Sequence, residues 1–349
     1  MDYNATQRRK IAHLEICLNK DVELGDAGFD DVTFLHNALP EVNLEETDTS
    51  TKFFGKKLSV PLMISAVTGG IPNAGLINKE LAKIAEEKCI GFGLGSQRAM
   101  IEKPEMKSTY CVRDVAPKTL IFGNIGIVQT KKYAPSQVQK MADETQIDAL
   151  CVHLNPAQEA FQVNGDLDFT ECFGSLKTLC RNLSMPVVGK EVGNGISRET
   201  AETLKKAGVR AIDVGGYGGT SWMKVEALRS GMDWKPFKRH GIPTAASVLE
   251  TKTSGLPIIA TGGIRDGLHI AKAIALGASI CGIALPAIRV LNALGPDGLR
   301  AYIDQLQREL RTVMFLNGCK NIDELKKANY VLHGRLLEWA KQRELLKTL

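Results

Sequence analysis

Short apolar runs alternate with stretches of helical periodicity over most of the chain from residue 58 onward. The runs are bounded by glycine or proline and are too apolar to face water on either side, which is typical of strands in a parallel sheet. Eight such runs are present, at 61–67, 91–96, 119–126, 149–155, 186–192, 211–216, 257–263 and 279–285. The pattern therefore predicts eight strands joined by crossover helices.

The connections between these strands have the length and spacing of helices. Residues 78–89 (NKELAKIAEEKC) and 197–208 (SRETAETLKKAG) repeat apolar positions at helical intervals. In the second stretch, Ser197 is predicted to cap the helix and Gly208 to end it. After the last strand an apolar stripe recurs at helical spacing and is predicted to pack on the barrel wall: Leu299, Tyr302, Ile303, Leu306, Leu310, Val313 and Met314.

Eight buried strands with helical connections favour a closed (β/α)8 TIM barrel. An open Rossmann sheet is the alternative, but it requires G-x-G-x-x-G after an early strand and an acidic residue about 20 positions later. Residues 91–96 (GFGLGS) match this motif only in part and lack the acidic partner. We predict an N-terminal arm at 1–57 that covers the active site, a barrel with its C-terminal helices at 58–349, and an insertion at 217–251 after the sixth strand.

Composition and charge narrow the class of protein. The net charge of +5 is mild and the basic residues form no long run, so we expect no nucleic-acid partner. No segment approaches the roughly 18 apolar residues of a membrane helix and no leader is recognisable, so we expect no membrane partner and a cytoplasmic location. The eight cysteines form no metal-type pair and are interpreted as thiols of a reducing compartment.

Polar residues cluster where the predicted strands end, and this is the end of a TIM barrel that carries the chemistry. Gly262 and Gly263 permit a close backbone approach, and Arg265 opens the next helix. This end predicts a phosphate cradle, with a tight βα turn as the alternative. The polar strand ends are TGG at 68–70, SQR at 96–98, Asn124, HLNPAQE at 153–159, Lys190-Glu191, GGYGGT at 215–220 and TGGIR at 261–265.

Isolated cations add to this cluster. Lys190 lies within a buried strand, where an unpaired ammonium is costly, so it is expected to face an anion or to pair with a neighbouring strand. Arg9, Lys10 and His13 share one helix face by their spacing and, with Arg98, supply cationic donors. A basic trio near a terminus can instead be solvated surface.

The order of these motifs resembles that of the type 2 isopentenyl-diphosphate isomerases, from about residue 8 to residue 340. The resemblance implies an FMN enzyme that requires Mg²⁺ and a reductant, NADPH or NADH, and that interconverts isopentenyl and dimethylallyl diphosphate as a homotetramer or homo-octamer. Val67 departs from the family, which more often has methionine there. The resemblance rests on RK…H at 9–13, TGG at 68, GSQR at 95, HLNPAQE at 153, GKEVGNGIS at 189, GGYGGTSW at 215 and GGIR at 262.

The resemblance also implies which residues bind each group. Glu159 would bind Mg²⁺, because this ion takes one or two carboxylates together with phosphate oxygens and waters. The implied catalytic residues are His153, Gln158, Glu159 and Lys190. FMN would contact Ala66, Val67, Thr68, Ser96, Asn124, Lys190, Thr220, Gly262, Gly263, Arg265, Ala284 and Leu285. The substrate would contact Arg9, Lys10, His13, Ser96, Gln97, Arg98, His153, Asn155 and Gln158.

Isomerisation requires one proton to be added to the alkene and another to be removed. The amide of Gln158 has no usable pKa, so it is predicted to orient the alkene while N5 of reduced FMN exchanges the proton, with Glu159 or a water as the alternative carrier. An FMN-dependent oxidoreductase of the hydroxy-acid oxidase kind is the alternative function. That enzyme requires a histidine beside GGxR, which 260–266 (ATGGIRD) lacks. An inosinate dehydrogenase requires a loop cysteine that 215–222 lacks, and a non-catalytic phosphate-binding barrel requires neither Lys190 nor Gln158.

Overall fold

The computed structural model describes residues 5–71 and 73–348. Strands β4 to β11 form a closed parallel barrel in which each strand pairs with the next and β11 returns to β4, so the predicted (β/α)8 barrel is confirmed. The strands of the described residues are β1 (Val32–Phe34), β2 (Thr51–Phe53), β3 (Lys56–Leu58), β4 (Leu62–Ile64), β5 (Gly91–Gly93), β6 (Ile121–Gly126), β7 (Ala149–Leu154), β8 (Val187–Glu191), β9 (Ala211–Asp213), β10 (Ile258–Thr261), β11 (Ile280–Ile283) and β12 (Tyr330–Leu332).

Helices surround this barrel. They are α1 (Ala5–Asn19), α2 (Ala74–Glu87), α3 (Arg98–Glu102), α4 (Gln129–Lys132), α5 (Pro135–Thr145), α6 (Pro156–Phe161), α7 (Cys172–Asn182), α8 (Arg198–Ala207), α9 (Trp222–Ser230), α10 (Thr244–Lys252), α11 (Gly267–Leu276), α12 (Leu285–Leu316), α13 (Ile322–Leu325) and α14 (Gly334–Gln342). Short 3-10 turns lie at Leu44–Glu46, Pro104–Thr109, Lys235–Phe237 and Leu345–Thr348. Within the described residues, none of these helices has the length and apolarity to cross a membrane.

Local sequence signals explain several helix ends. The hydroxyl of Ser197 accepts from the N–H of Thr200 at the start of α8, and Gly208 ends that helix in the left-handed region (φ 101°), as predicted. Helix α12 bends at Gly295, where φ is 69° and the next residue is a proline. The predicted stripe on α12 is buried at Leu299, Ile303, Leu306, Leu310 and Met314, with Tyr302 and Val313 packed at its border.

The interior of the barrel is a separate apolar cluster at its N-terminal end. The β2–β3 hairpin covers this end, and Phe53 packs against Phe122 with ring centroids 6.2 Å apart. Burying one such side chain contributes about 1.5–3 kcal/mol relative to exposure. Because apolar side chains fill this end, the opposite mouth is the one left for a site. Strand β1 pairs antiparallel with β12, which ties the N-terminal region to the C-terminal one.

The insertion after the sixth barrel strand, β9, is shorter than predicted. Helix α10 belongs to the barrel wall, since the residues from Thr244 to Thr251 are buried and the helix packs against β10. This helix has no polar face, so its sequence lacks the amphipathic period that marks a crossover helix. The insertion proper therefore covers 217–243, and its helix α9 lies at the mouth, where Trp222 lines the cleft described below.

Candidate active site

A cleft of about 270 Å³ opens at the C-terminal mouth of the barrel. It brings together side chains from α1 and from the ends of the barrel strands, as the polar strand ends predict. The predicted residues that line it are Arg9, Lys10, His13, Ala66, Val67, Thr68, Ser96, Arg98, Asn124, His153, Asn155, Gln158, Glu159, Lys190, Thr220, Gly262, Gly263, Arg265, Ala284 and Leu285. Their individual roles stay predictions.

Gln97 is the predicted substrate residue that does not line the cleft. Its side chain is fully buried behind the wall, where its amide donates to the hydroxyl of Thr145 (3.2 Å) and its carbonyl oxygen accepts from the N–H of Asn124 (3.0 Å). Ser96 and Arg98 on either side do line the cleft, so the GSQR motif alone did not reveal that the middle side chain turns away. This geometry favours an indirect role for Gln97, as a support of the β5–β6 wall.

Lys190 is not the isolated cation that the sequence suggested. Its Nζ lies 2.6 Å from Oδ2 of Asp213, and both side chains are almost fully buried. The register explains the pair, because Lys190 of β8 lies opposite Asp213 of β9 and His153 of β7 lies opposite Lys190. Asp213 also accepts hydrogen bonds from the hydroxyl of Thr261 and the N–H of Gly215. The alternative of a salt bridge to a neighbouring strand is therefore realised, while Lys190 still lines the cleft.

Backbone and small side chains form one half of the cleft. Gly262 and Gly263 have φ of 106° and 77°, and a Cβ added to either would lie within 2.6 Å of a carbonyl oxygen, so only glycine fits. Ser65, which sequence reasoning missed, lines the cleft with a buried hydroxyl that has no hydrogen-bond partner among the described residues. An unpaired buried hydroxyl beside a glycine-lined wall fits a bound polar cofactor such as FMN.

Arg265 at the glycine-lined end is held from two sides. Its guanidinium pairs with Glu23, and its backbone oxygen accepts from the hydroxyl of Tyr302 (2.9 Å). Burial lowers the pKa of Arg265 from its usual value. The pair with Glu23 thus fixes a desolvated guanidinium at this end, and a bound phosphate would share it with that carboxylate.

Helix α1 brings cations to the other half of the cleft. The Nζ of Lys10 donates to the carbonyl oxygens of Gly69 (2.5 Å) and Ser96 (3.2 Å) and to the hydroxyl of Tyr110 (3.2 Å). Burial, reinforced by the nearby charges of Arg9 and other cations, lowers the pKa of Lys10 to about 7. Lys10 therefore has neutral oxygens as partners, and an anion entering the cleft would stabilise its charged form.

Glu226 of α9, which the sequence analysis did not single out, docks α1 onto the barrel. Its carboxylate is fully buried, with Oε1 2.8 Å from Nε2 of His13 and 3.3 Å from the amide nitrogen of Gln158. Oε2 accepts from Nε of Arg229 at 2.8 Å. Glu226 lies in the predicted insertion, but no motif marked this residue. At the other end of α1, Arg289 donates to two backbone oxygens of 17–20.

Glu159 is oriented by its own helix and by the segment that follows. Its Oε1 accepts from the amide of Asn155 (2.9 Å), and its Oε2 accepts from the amide of Gln162 (3.0 Å) and the N–H of Asp166 (2.8 Å). No group of three or more histidine, cysteine or acidic residues suited to a metal occurs within 5–71 and 73–348. A single fixed carboxylate does not build a zinc or calcium cage, but it fits Mg²⁺, which keeps waters and takes phosphate oxygens.

His153 at the end of β7 is half-buried and hydrogen-bonded. Its Nδ1 lies 2.7 Å from Oδ1 of Asn124. Burial, together with the charges of Lys190 and Lys10, lowers the pKa of His153 to about 4. The imidazole is therefore neutral at pH 7 in the free protein, which suits a hydrogen-bonding role better than that of a resident proton donor.

Comparison with known proteins decides the family. Residues 123–332 match the model of the FMN-dependent dehydrogenase family. The isopentenyl-diphosphate delta-isomerase of Methanosarcina acetivorans is 44% identical over 97% of this chain and 96% of that protein. Its counterpart in Halobacterium salinarum is 44% identical over 98% of each chain, and that of Pyrococcus abyssi is 43% identical over 96% and 95%.

The chain belongs to the FMN-dependent dehydrogenase family and, within it, to the isopentenyl-diphosphate delta-isomerases. The resemblance read from the motifs is confirmed. A crystal structure of mandelate oxidase with (S)-2-phenylpropionate has a TM-score of 0.66 and 18% identity, and the match covers 95% of this chain and 99% of that one. At this identity the likeness shows a shared fold alone. Membership of an FMN family agrees with the glycine-lined half of the cleft.

Proposed function

We propose that the protein interconverts isopentenyl diphosphate and dimethylallyl diphosphate, with FMN and Mg²⁺ in the cleft and NADPH or NADH as reductant. One observation carries the proposal: a glycine-lined wall and a cationic wall formed by Arg9, Lys10 and Arg98, with one oriented carboxylate, Glu159, line the same cleft at the barrel mouth. The first suits a flat cofactor and the second a diphosphate.

The cationic wall would hold the diphosphate. Arg9, Lys10 and Arg98 line it, and a unit-charge pair at 4 Å is worth about 4 kcal/mol at an effective dielectric of 20, before desolvation. Lys10 has no carboxylate among its hydrogen-bond partners, so an incoming anion does not compete with a protein anion for it. Glu159 would bind Mg²⁺ between the enzyme and the phosphate oxygens.

Gln158 would orient the alkene. Its amide nitrogen donates to Glu226 (3.3 Å), and its carbonyl oxygen accepts from Asn155 (3.2 Å), so both ends of the amide are fixed. Holding the five-carbon tail in one pose lowers the entropic part of the barrier. When bound in its reduced form, FMN supplies the group that gives and takes the proton. Lys190, steadied by Asp213, would donate to the polar edge of the cofactor.

The alternative of a hydroxy-acid oxidase finds no support from the position of the histidines. His269 follows the GGIR motif on α11, but it stacks on Phe29 with ring centroids 5.3 Å apart and is not a lining residue of the cleft. The lining histidines are His13, from α1, and His153, from β7. The imidazole base of an oxidase would have to follow β10 and reach the cofactor.

The experiment is a conversion assay with omissions. The purified protein is loaded with FMN, and labelled isopentenyl diphosphate is converted in the presence of Mg²⁺ and NADPH, with FMN, Mg²⁺ and reductant left out in turn. Conversion that needs all three supports the proposal. A protein that retains no flavin, or one that converts the substrate equally well without it, refutes it. Light scattering of the same sample tests the predicted homotetramer or homo-octamer.

A further inference from the structure

The segment 162–168, which follows α6, carries Asp166, whose side chain contacts Arg98 and whose backbone N–H contacts Glu159. Oδ2 of Asp166 lies 3.3 Å from Nη1 of Arg98 and 3.2 Å from the amide nitrogen of Gln129. Its Oδ1 lies 2.9 Å from Nζ of Lys132, and its backbone N–H donates to Oε2 of Glu159 at 2.8 Å. Asp166 is not itself a lining residue.

Arg98 is held by two carboxylates at once. Its Nε donates to Oε1 of Glu102 at 2.7 Å, and the same oxygen accepts from the hydroxyl of Tyr133 at 2.9 Å. Asp166 fixes the Nη1 end. Two anchors at different nitrogens define the plane of the guanidinium, and neither of them occupies Nη2, which has no hydrogen bond within the described residues. A planar fork of this kind recognises phosphate only when its orientation is set.

We propose that Asp166 is a positioning residue: its side chain sets the orientation of Arg98 toward the diphosphate, while its backbone N–H fixes Glu159. The inference rests on the proposed function in taking a diphosphate as the ligand of this wall. The segment is shaped for the task, because a Cβ on Gly165 would lie 2.1 Å from the backbone oxygen of Glu159. Only glycine lets the chain turn so closely over α6.

A negative group near a diphosphate also repels it, so Asp166 has two opposing effects on binding. Lys132 at 2.9 Å and Arg98 at 3.3 Å neutralise Asp166 locally, and its side chain is 27% exposed, which screens what remains. Repulsion of the ligand is therefore small. Loss of an anchor frees the long side chain of Arg98. The conformational entropy that the side chain gains in the free protein is then lost when the ligand binds. Orientation is expected to outweigh repulsion.

The test replaces Asp166 by asparagine in the FMN-loaded protein. Asp166→Asn keeps the shape and the backbone N–H to Glu159 but replaces the carboxylate that pairs with Arg98 by a neutral amide. Asp168→Asn is the matched control, since Asp168 is 70% exposed and pairs with Lys131 at 3.0 Å. The probe is inorganic pyrophosphate with and without Mg²⁺, titrated by calorimetry. We expect Asp166→Asn to weaken pyrophosphate binding about tenfold, the scale of losing an outer-shell anchor, and the control to change it less than about twofold.

A double-mutant cycle separates positioning from a general structural effect. In an Arg98→Ala background, Asp166→Asn is expected to change pyrophosphate binding by less than about twofold, because the side chain it positions is absent. Glu102→Gln, which removes the other anchor, is expected to act in the same direction as Asp166→Asn. In turnover, Asp166→Asn is expected to raise KM while kcat stays within about twofold.

Several results overturn the inference. If Asp166→Asn weakens pyrophosphate binding as much in the Arg98→Ala background as in the parent, Asp166 acts through the electrostatic field or the fold and not through Arg98. Tighter pyrophosphate binding means that repulsion dominates. If Asp166→Asn changes the Mg²⁺ requirement but leaves pyrophosphate binding without Mg²⁺ unchanged, Asp166 acts on the metal site. The two proposals also fail separately: Asp166-dependent pyrophosphate binding by a protein without isomerase activity refutes only the function, and isomerase activity with an unaltered KM in Asp166→Asn refutes only the positioning.

Discussion

Removing the ammonium of Lys190 should affect folding and cofactor chemistry in ways that can be separated. Lys190→Met leaves Asp213 buried without its 2.6 Å partner, on a side chain that is 2% exposed. Breaking a buried ion pair costs about 3–5 kcal/mol. Asp213 keeps the hydrogen bonds from Thr261 and Gly215, so we place the loss at the lower end, about 3 kcal/mol. With about 2.1 cal/mol/K of unfolding entropy per residue, Tm falls by about 4 °C.

The double variant Lys190→Met/Asp213→Asn is the matched control. It removes both charges, so no buried carboxylate is left unpaired, and stability is expected to return to within about 1 kcal/mol of the parent. The redox potential of the flavin should be altered in both variants, because both lack the ammonium that donates to the ring. For a ring assumed to lie about 4 Å from the ammonium, losing Lys190 alone is worth about 4 kcal/mol at an effective dielectric of 20, which makes the midpoint potential of the two-electron couple more negative by about 85 mV. In the double variant the loss of Asp213 offsets about half of this, so the shift is about 40–50 mV.

The assay pairs differential scanning calorimetry with an anaerobic redox titration of the FMN-loaded proteins. We expect a lowered Tm only in the single variant and a lowered potential in both. If the single variant keeps its Tm, the ion pair does not stabilise the barrel as described. If both variants keep the parent potential, Lys190 does not contact the cofactor in the way proposed, whatever its effect on stability.

Three further predictions follow from the cleft. Gly263→Ala should abolish FMN uptake, because its Cβ would lie 2.6 Å from the oxygen of Gly218. The control is Gly255→Ala, which has a similar φ but no atom within 4 Å of the added Cβ, and it should cost about 1 kcal/mol of stability and leave FMN uptake intact. Flavin absorbance after desalting measures the uptake. Glu159→Gln should raise the Mg²⁺ concentration needed for half activity and lower turnover, and an unchanged Mg²⁺ titration contradicts the ligand role. Because the pKa of Lys10 is lowered to about 7, the free amine is mostly uncharged at pH 8 and should take up a proton when pyrophosphate binds. Calorimetry in buffers of different ionisation enthalpy measures this uptake. It should be smaller in Lys10→Met and should shrink toward pH 6, and equal uptake in both proteins contradicts it.

The barrel was predictable because strands buried on both faces are continuous apolar runs, and all eight occur where the sequence predicts them. The C-terminal limit of the third strand was predicted correctly, at Gly126, but those of other strands were not. The predicted strand at 61–67 stops at Ile64, and that at 211–216 stops at Asp213. There the chain leaves the ladder to build the cleft, as in the bond from the N–H of Gly95 to the oxygen of Thr68 (3.1 Å). The sequence is apolar and rich in glycine both before and after the end of the strand, so it does not mark where the strand ends.

The site residues divide in the same way. Those at strand ends could be placed from sequence, because the fold itself fixes which end of each strand faces the cleft. Asp213 and Glu226 could not be found, since the first depends on the register between β8 and β9 and the second on how α1 docks against α9. Neither contact produces a periodic pattern in the local sequence. Ser65 lies inside a run that reads as plain strand, and Asp166 lies in a loop.

The most direct test compares the amount of NADPH supplied with the amount of dimethylallyl diphosphate formed. FMN-loaded protein is reduced anaerobically with a single equivalent of NADPH, isopentenyl diphosphate and Mg²⁺ are added, and dimethylallyl diphosphate is followed by NMR while flavin absorbance is recorded. The account predicts many turnovers per equivalent, with the flavin still reduced at the end. Consumption of one reductant per product contradicts it, and so does full-speed conversion by oxidised protein kept free of reductant and light.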